Sequence, residues 1–131
     1  MGRDERKLRY AKTHEWVDVQ GTKAVVGITA FAAKELQDLV FVDLPQVGTA
    51  LAAGEAFGSI ESVKAVSDLY APVSGKVVKV NGALEDAPEL VSSDAYGEGW
   101  MLEIEVTDAS NVSNLMTKEA YHAMVTEEKA Q

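Results

Sequence analysis

Gly58-Ser59-Ile60-Glu61-Ser62-Val63-Lys64-Ala65-Val66-Ser67-Asp68 decides how this chain is read. Apolar and polar residues mix at β-type spacing on both sides of position 64, which predicts two short strands meeting at a turn. Lys64 stands alone there, because residues 35–75 hold no other Lys and no Arg. A single amine at a hairpin tip gives a modifying enzyme one unambiguous target. Acylating it to an amide removes the charge, and the flanking strands hold the root of an arm that is free to swing. Lys64 is therefore the candidate attachment point for a prosthetic arm, and the chain reads as a carrier rather than an enzyme. The competing reading is an ordinary solvated lysine.

Outward from the turn, residues 47–80 read as β structure punctuated by Gly48, Gly54, Gly58 and Gly75. A weak internal similarity places Lys64 between two arms, one opened by Val47-Gly48 and the other by Ser74-Gly75-Lys76-Val77. Upstream, residues 9–19 and 23–28 predict two strands joined around Gln20-Gly21. Thr29 is placed to cap a helix over residues 30–39, whose stripe of Phe31, Ala32, Leu36 and Leu39 has one polar member, Glu35. A strand over residues 40–44 ends at Pro45. Downstream, residues 81–96 are turn-rich. Residues 100–106 alternate as a half-buried strand, with Trp100, Leu102, Ile104 and Val106 inward and Met101, Glu103 and Glu105 outward. Asp108 or Ser110 opens a short helix. Thr117 caps another over residues 118–127, with Tyr121, Met124 and Val125 as its apolar face. Residues 1–8 read as a flexible tail and residues 9–131 as one domain. The fold class is mainly β, two packed antiparallel sheets with a few peripheral helices.

Composition narrows the function. The chain has 131 residues, 47% hydrophobic and 25% charged, enough for one core without staples. It has no Cys, so disulfides, thiolate metal sites and a cysteine nucleophile are excluded. No apolar run approaches the ~20 residues of a membrane span. Met1-Gly2-Arg3-Asp4-Glu5-Arg6-Lys7 lacks an apolar stretch after its basic residues, so the expectation is a cytoplasmic bacterial protein with no secretory signal, with a trimmed organellar protein as the alternative. Net charge is −9, with the basic excess confined to the first twelve residues. An acidic body argues against nucleic acid and favours docking onto basic partner surfaces. Catalytic chemistry is poorly supplied. His14 and His122 are the only two histidines, no nucleophile neighbours either, and both are read as structural or surface groups. Two scattered His make no metal site, and Gly97-Glu98-Gly99 lacks the strand–loop–helix context of a phosphate loop.

Glu61-Ser62-Val63-Lys64-Ala65, then Ser67-Asp68 and Ala71-Pro72-Val73-Ser74-Gly75, closely resembles the lipoyl-lysine segment of the glycine cleavage system H proteins. The resemblance extends over residues 8–127. It includes Tyr10-Ala11-Lys12-Thr13-His14-Glu15-Trp16-Val17, Val26-Gly27-Ile28-Thr29, Phe41-Val42-Asp43-Leu44-Pro45, Pro88-Glu89-Leu90 and Tyr96-Gly97-Glu98-Gly99-Trp100. Biotinyl carriers usually flank the lysine with Met, and lipoyl domains of 2-oxo acid dehydrogenases commonly place Asp before it. Val63 and Ala65 fit neither pattern.

The resemblance implies a lipoyl-domain-like barrel-sandwich hybrid with lipoate in amide linkage to Lys64. Glu61, Ser62, Val63 and Ala65 would form the recognised lysine turn. It implies a non-catalytic shuttle that takes an aminomethyl group from a pyridoxal-phosphate glycine decarboxylase to a tetrahydrofolate-dependent aminomethyltransferase. Dihydrolipoyl dehydrogenase would then reoxidise the arm using NAD. Lipoate-attaching enzymes are further implied partners, and a monomer is expected. Carried over by position, Thr13, Glu15 and Asp68 would line a cleft for the loaded arm, Thr13 standing where relatives commonly have Ser. Two departures are visible. Ala30-Phe31 replaces a common Asp followed by an aromatic or His, and Leu36-Gln37-Asp38 replaces Leu-Gly-Asp. The remaining alternatives are a lipoyl carrier for another pathway, such as sulfur oxidation or lipoyl relay, and an unmodified acidic interaction module.

Overall fold

The computed structural model describes residues 3–129, and among them nine strands form two antiparallel sheets. The larger sheet contains β1 (Arg9–Tyr10), β2 (Glu15–Gln20), β3 (Lys23–Ile28), β5 (Ala50–Leu51), β8 (Gly75–Val80) and β9 (Leu102–Val106). Its spatial order is β1-β2-β3-β9-β8-β5. The smaller one contains β4 (Leu39–Asp43), β6 (Ala56–Ser62) and β7 (Val66–Tyr70), with β6 in the middle. Helices α1 (Ala30–Leu36), α2 (Ala83–Asp86), α3 (Leu90–Ser93), α4 (Ser110–Ser113) and α5 (Lys118–Lys129) lie between or after strands. The mainly β, two-sheet architecture is the one read from the sequence.

Both sheets feed one core. Val17, Val26, Val77 and Ile104 from the larger sheet are fully buried and share a cluster with Val42, Phe57, Ile60 and Leu69 from the smaller one. Period-two alternation produces this, since each strand turns its branched residues to the shared side. A second cluster joins Leu8, Tyr10 and Trp16 to Tyr121 and Val125 of α5. Trp16 is opposite Gly27 in the β2–β3 register, and its indole N–H donates to the Ala95 carbonyl at 3.0 Å. A Cβ at position 27 would stand 2.6 Å from that ring, so only glycine lets the indole lie on the strand.

Four expectations change. The single strand expected over residues 9–19 is broken by a reversal at Ala11-Lys12-Thr13-His14, and β1 folds back antiparallel onto β2. His14 holds that reversal at φ 79°, with its N–H donating to the Ala11 carbonyl. The helix expected to reach residue 39 stops at Leu36, because Gln37 leaves helical space at φ 66°, ψ −128°, and Leu39 pairs with Ser62 instead. Met101, expected on the outward face, is fully buried, with its N–H donating to Val26 and its carbonyl accepting from Asn81. Within the segment expected as a tail, Arg3 and Leu8 pack on the body while residues 4–7 stay exposed. Leu8 is buried, the Arg3 guanidinium lies 5.0 Å over the Trp16 ring, and Arg3 pairs with Asp18 at 2.9 Å. The attraction of a guanidinium for an indole face, closed by an acid, explains why this basic stretch docks. Met1 and Gly2 lie outside the described residues.

Candidate functional site

Val63-Lys64-Ala65 connects β6 to β7, and Lys64 is exposed at the tip. Ser62, which is buried, closes the turn from both sides. Its N–H donates to the Ala65 carbonyl at 2.7 Å, its hydroxyl donates to the same carbonyl at 3.2 Å, and its Oγ accepts from the Ala65 N–H at 3.1 Å. A serine satisfies a tight turn in this way because one oxygen both donates and accepts. The Val63 N–H donates to the Asp38 carbonyl at 2.9 Å, so the segment after α1 braces the turn. Among the described residues Lys64 makes no hydrogen bond or ion pair. Val63 and Val66 are 75% and 65% exposed. Glu61 is exposed too, paired laterally with Phe41 on one side and Val66 on the other. An amine, an acid and apolar side chains thus share the outer end of the smaller sheet.

A cleft of about 510 Å³ lies at the edge of this sheet. Thr13, Glu15 and Asp68, the three positions carried over by resemblance, all line it. Phe31, Ala32, Glu35 and Leu36 of α1 also line it, with Ile60 and Leu69 contributing from β6 and β7. The polar member of the α1 stripe is thereby explained: that face looks into a solvent-open cleft, while Ala33 is the helix residue that enters the core. His14 lines the cleft as well, and was not singled out as a cleft residue from the sequence. His122 is exposed on α5.

Glu15 is the electrostatic centre of the cleft. It is 1% exposed, at the start of β2 just past the reversal. The Thr13 hydroxyl donates to Oε1 and the Tyr70 N–H donates to Oε2 at 3.2 Å. Burial opposes the charged form more strongly than these two donors support it, and the pKa is pushed up from 4.5 to about 7. The carboxyl is therefore balanced between neutral and anionic near neutrality, and a cation entering the cleft drives it to the charged form. Asp68, exposed on β7, and Glu35 of α1 are the other two acids at the cleft.

A lysine-bearing hairpin on a pair of facing antiparallel sheets is the geometry of a lipoyl-domain-like carrier. The model of the family described as "Glycine cleavage H-protein" matches residues 8–128. The glycine cleavage system H protein of Brevibacillus brevis is 57% identical over 122 residues, covering 93% of this chain and 97% of the relative. A probable glycine cleavage system H protein of Haloarcula marismortui is 57% identical over 118 residues, covering 90% and 93%. The crystal structure of a glycine cleavage system H protein from Mycobacterium marinum superposes with a TM-score of 0.86 at 41% identity, covering 92% of this chain and 98% of that one. The chain belongs to the glycine cleavage H-protein family. It is a non-catalytic carrier component of glycine cleavage, not an enzyme. No helix among the described residues is long and apolar enough to cross a membrane.

Proposed function

We propose that Lys64 holds lipoate in amide linkage and that the cleft floored by Glu15 is the resting place of the loaded arm. Held at Lys64, a lipoyl group would supply a disulfide able to accept the aminomethyl carbon of glycine on one sulfur and a proton on the other, the glycine carboxyl leaving as CO2 on the decarboxylase. The remaining work belongs to this chain. Ser62 and the Asp38 carbonyl fix the turn, so a modifying enzyme meets Lys64 in one geometry. Phe31, Leu36, Ile60 and Leu69 supply apolar walls suited to methylenes and a ring of two sulfurs. An arm that fills the cleft displaces water from those walls, which slows loss of the cargo by hydrolysis. Glu15, with Asp68, offers acceptors to a cationic amine, and the Thr13 hydroxyl orients the Glu15 carboxyl.

The carrying observation is the convergence of Thr13, Glu15 and Asp68 on one cleft in the same domain as an exposed lysine turn. In this reading the arm visits three partners in sequence: the pyridoxal-phosphate decarboxylase, the tetrahydrofolate-dependent aminomethyltransferase, which frees ammonia, and dihydrolipoyl dehydrogenase. The acidic body and the apolar side chains beside Lys64 favour partner surfaces that are basic and apolar around an entrance. The test is exchange of the glycine carboxyl with bicarbonate. The lipoylated protein should support it with the family's decarboxylase, and the unmodified protein should not. Failure of fully lipoylated protein to support exchange would leave a carrier for a different pathway.

A further inference from the structure

Tyr121 of α5 joins the two sides of the cleft through one hydroxyl. That oxygen lies 2.7 Å from Nδ1 of His14 and 2.7 Å from Oγ1 of Thr29. Thr29 Oγ1 accepts from the Ala32 N–H at 3.2 Å and so caps α1. The Thr29 N–H donates to the His14 carbonyl at 2.9 Å, closing the ring of contacts. His14 lies in the left-handed region at φ 79°, a conformation that a side chain bearing a Cβ holds only when its surroundings enforce it. The Thr13-His14-Glu15 corner is one side of the cleft and α1 the other, and both are tied to Tyr121. The phenol is anchored, being 6% exposed with its ring stacked on Tyr10 at 4.9 Å and 13°. The chain entering α5 is pinned as well, since Tyr10 and Met116 exchange backbone hydrogen bonds of 2.8 Å.

We infer that Tyr121 is a positioning residue. Its hydroxyl sets the spacing between the Glu15 corner and α1, and through it the C-terminal helix governs how well the cleft shelters its cargo. The inference rests on the cleft being the resting place of the loaded arm. It adds that a helix outside the cleft lining controls the cleft's shape. The ring contacts survive Tyr121→Phe and only the hydroxyl is lost, so the change isolates the link.

The experiment uses the full chain. In unmodified protein, amide hydrogen exchange at Ala32 reports the cap on α1. In lipoylated protein loaded with the aminomethyl group, the lifetime of the cargo reports the shelter. Tyr121→Phe is expected to speed Ala32 exchange roughly three- to tenfold, the scale of one lost hydrogen bond. Val77 and Ile104 should exchange as in the parent, and cargo lifetime should shorten by a similar factor. Thr29→Val, which removes the cap together with the link, should speed Ala32 exchange more than Tyr121→Phe does, adding Tyr121→Phe to it should change neither readout further, and Thr29→Ser, which keeps the hydroxyl, should leave both as in the parent. Unchanged Ala32 exchange overturns the inference, as does acceleration spread evenly over all amides. A faster Ala32 with unchanged lifetime, while Glu15→Ala shortens it, also overturns it and leaves the cleft reading intact. If neither Tyr121→Phe nor Glu15→Ala shortens the lifetime, the cleft reading fails, and the role of Tyr121 as governor of the shelter fails with it.

Discussion

The backbone N–H of Tyr70 donates to Oε2 of Glu15 at 3.2 Å, joining the strand that leaves the lysine turn to the floor of the cleft. This bond and the Thr13 hydroxyl support the charged form of a carboxyl that burial nevertheless holds near a pKa of about 7. The stability of the protein should therefore depend on pH through this one group. A carboxyl whose folded pKa lies above its unfolded value binds protons more tightly in the folded state. Its contribution is fully present below pH 4.5 and is lost as pH rises through about 7. A displacement of this size corresponds to about 3 kcal/mol. Glu15→Gln should flatten the unfolding free energy between those pH values, as measured by denaturant titration. Curves that run parallel for parent and variant would contradict the assignment.

Cargo binding should shift the same titration. A cationic amine beside Glu15 favours the charged carboxylate, so the pKa in the loaded protein should fall below its value in the unloaded one. Carbon-13 NMR of the Glu15 carboxyl in the two states reads this directly. Identical titrations would separate Glu15 from the amine.

Gln37 stands at φ 66°, ψ −128°, a conformation natural to glycine, and Asp38 next to it accepts from Val63 in the lysine turn. Gln37→Gly should relieve strain and raise stability by about 1 kcal/mol, against a small entropic cost in the unfolded chain. A rise in Tm of a few degrees is the expected reading. A fall would show that the turn does not strain Gln37.

Ser62 satisfies both ends of the lysine turn, so Ser62→Ala leaves the Ala65 N–H without its side-chain acceptor. Stability should drop by about 1 kcal/mol, and exchange of the Ala65 amide should accelerate. The rate of lipoate attachment should fall while the final extent stays complete, because the turn still visits the recognised geometry. An unchanged attachment rate would mean the modifying enzyme does not read the rigidity of the turn.

Gly27 faces the Trp16 indole, which is fully buried and tethered to Ala95. Gly27→Ala should cost about 2 kcal/mol or more, since the ring cannot retreat without losing that bond. Thermal unfolding measures it, and a loss under half that size would mean the indole has room to shift.

Some of this was legible in the chain and some was not, for physical reasons. The strands and the lysine turn show themselves because period-two patterning and glycine punctuation are local signals. The reversal at residues 11–14 does not, since Ala11-Lys12-Thr13-His14 contains none of the usual turn residues. The partner of the His14 side chain at that corner is the Tyr121 hydroxyl, 107 positions away. The end of α1 is hidden in the sequence for a related reason: the stop is made by Gln37 in a conformation that a glycine would advertise. Thr13, Glu15 and Asp68 came from family resemblance rather than periodicity. The raised pKa of Glu15 is a product of tertiary burial that no spacing encodes.

Everything proposed for the cleft depends on Lys64 carrying the arm. Intact-mass measurement with peptide mapping, after coexpression with a lipoate ligase and supplied lipoate, tests it most directly. One amide-linked lipoyl group per chain is expected, located on the peptide containing Lys64 and absent from Lys64→Arg. A lipoyl group that persists in Lys64→Arg, or parent protein that stays unmodified under conditions that modify a known H protein, would contradict it.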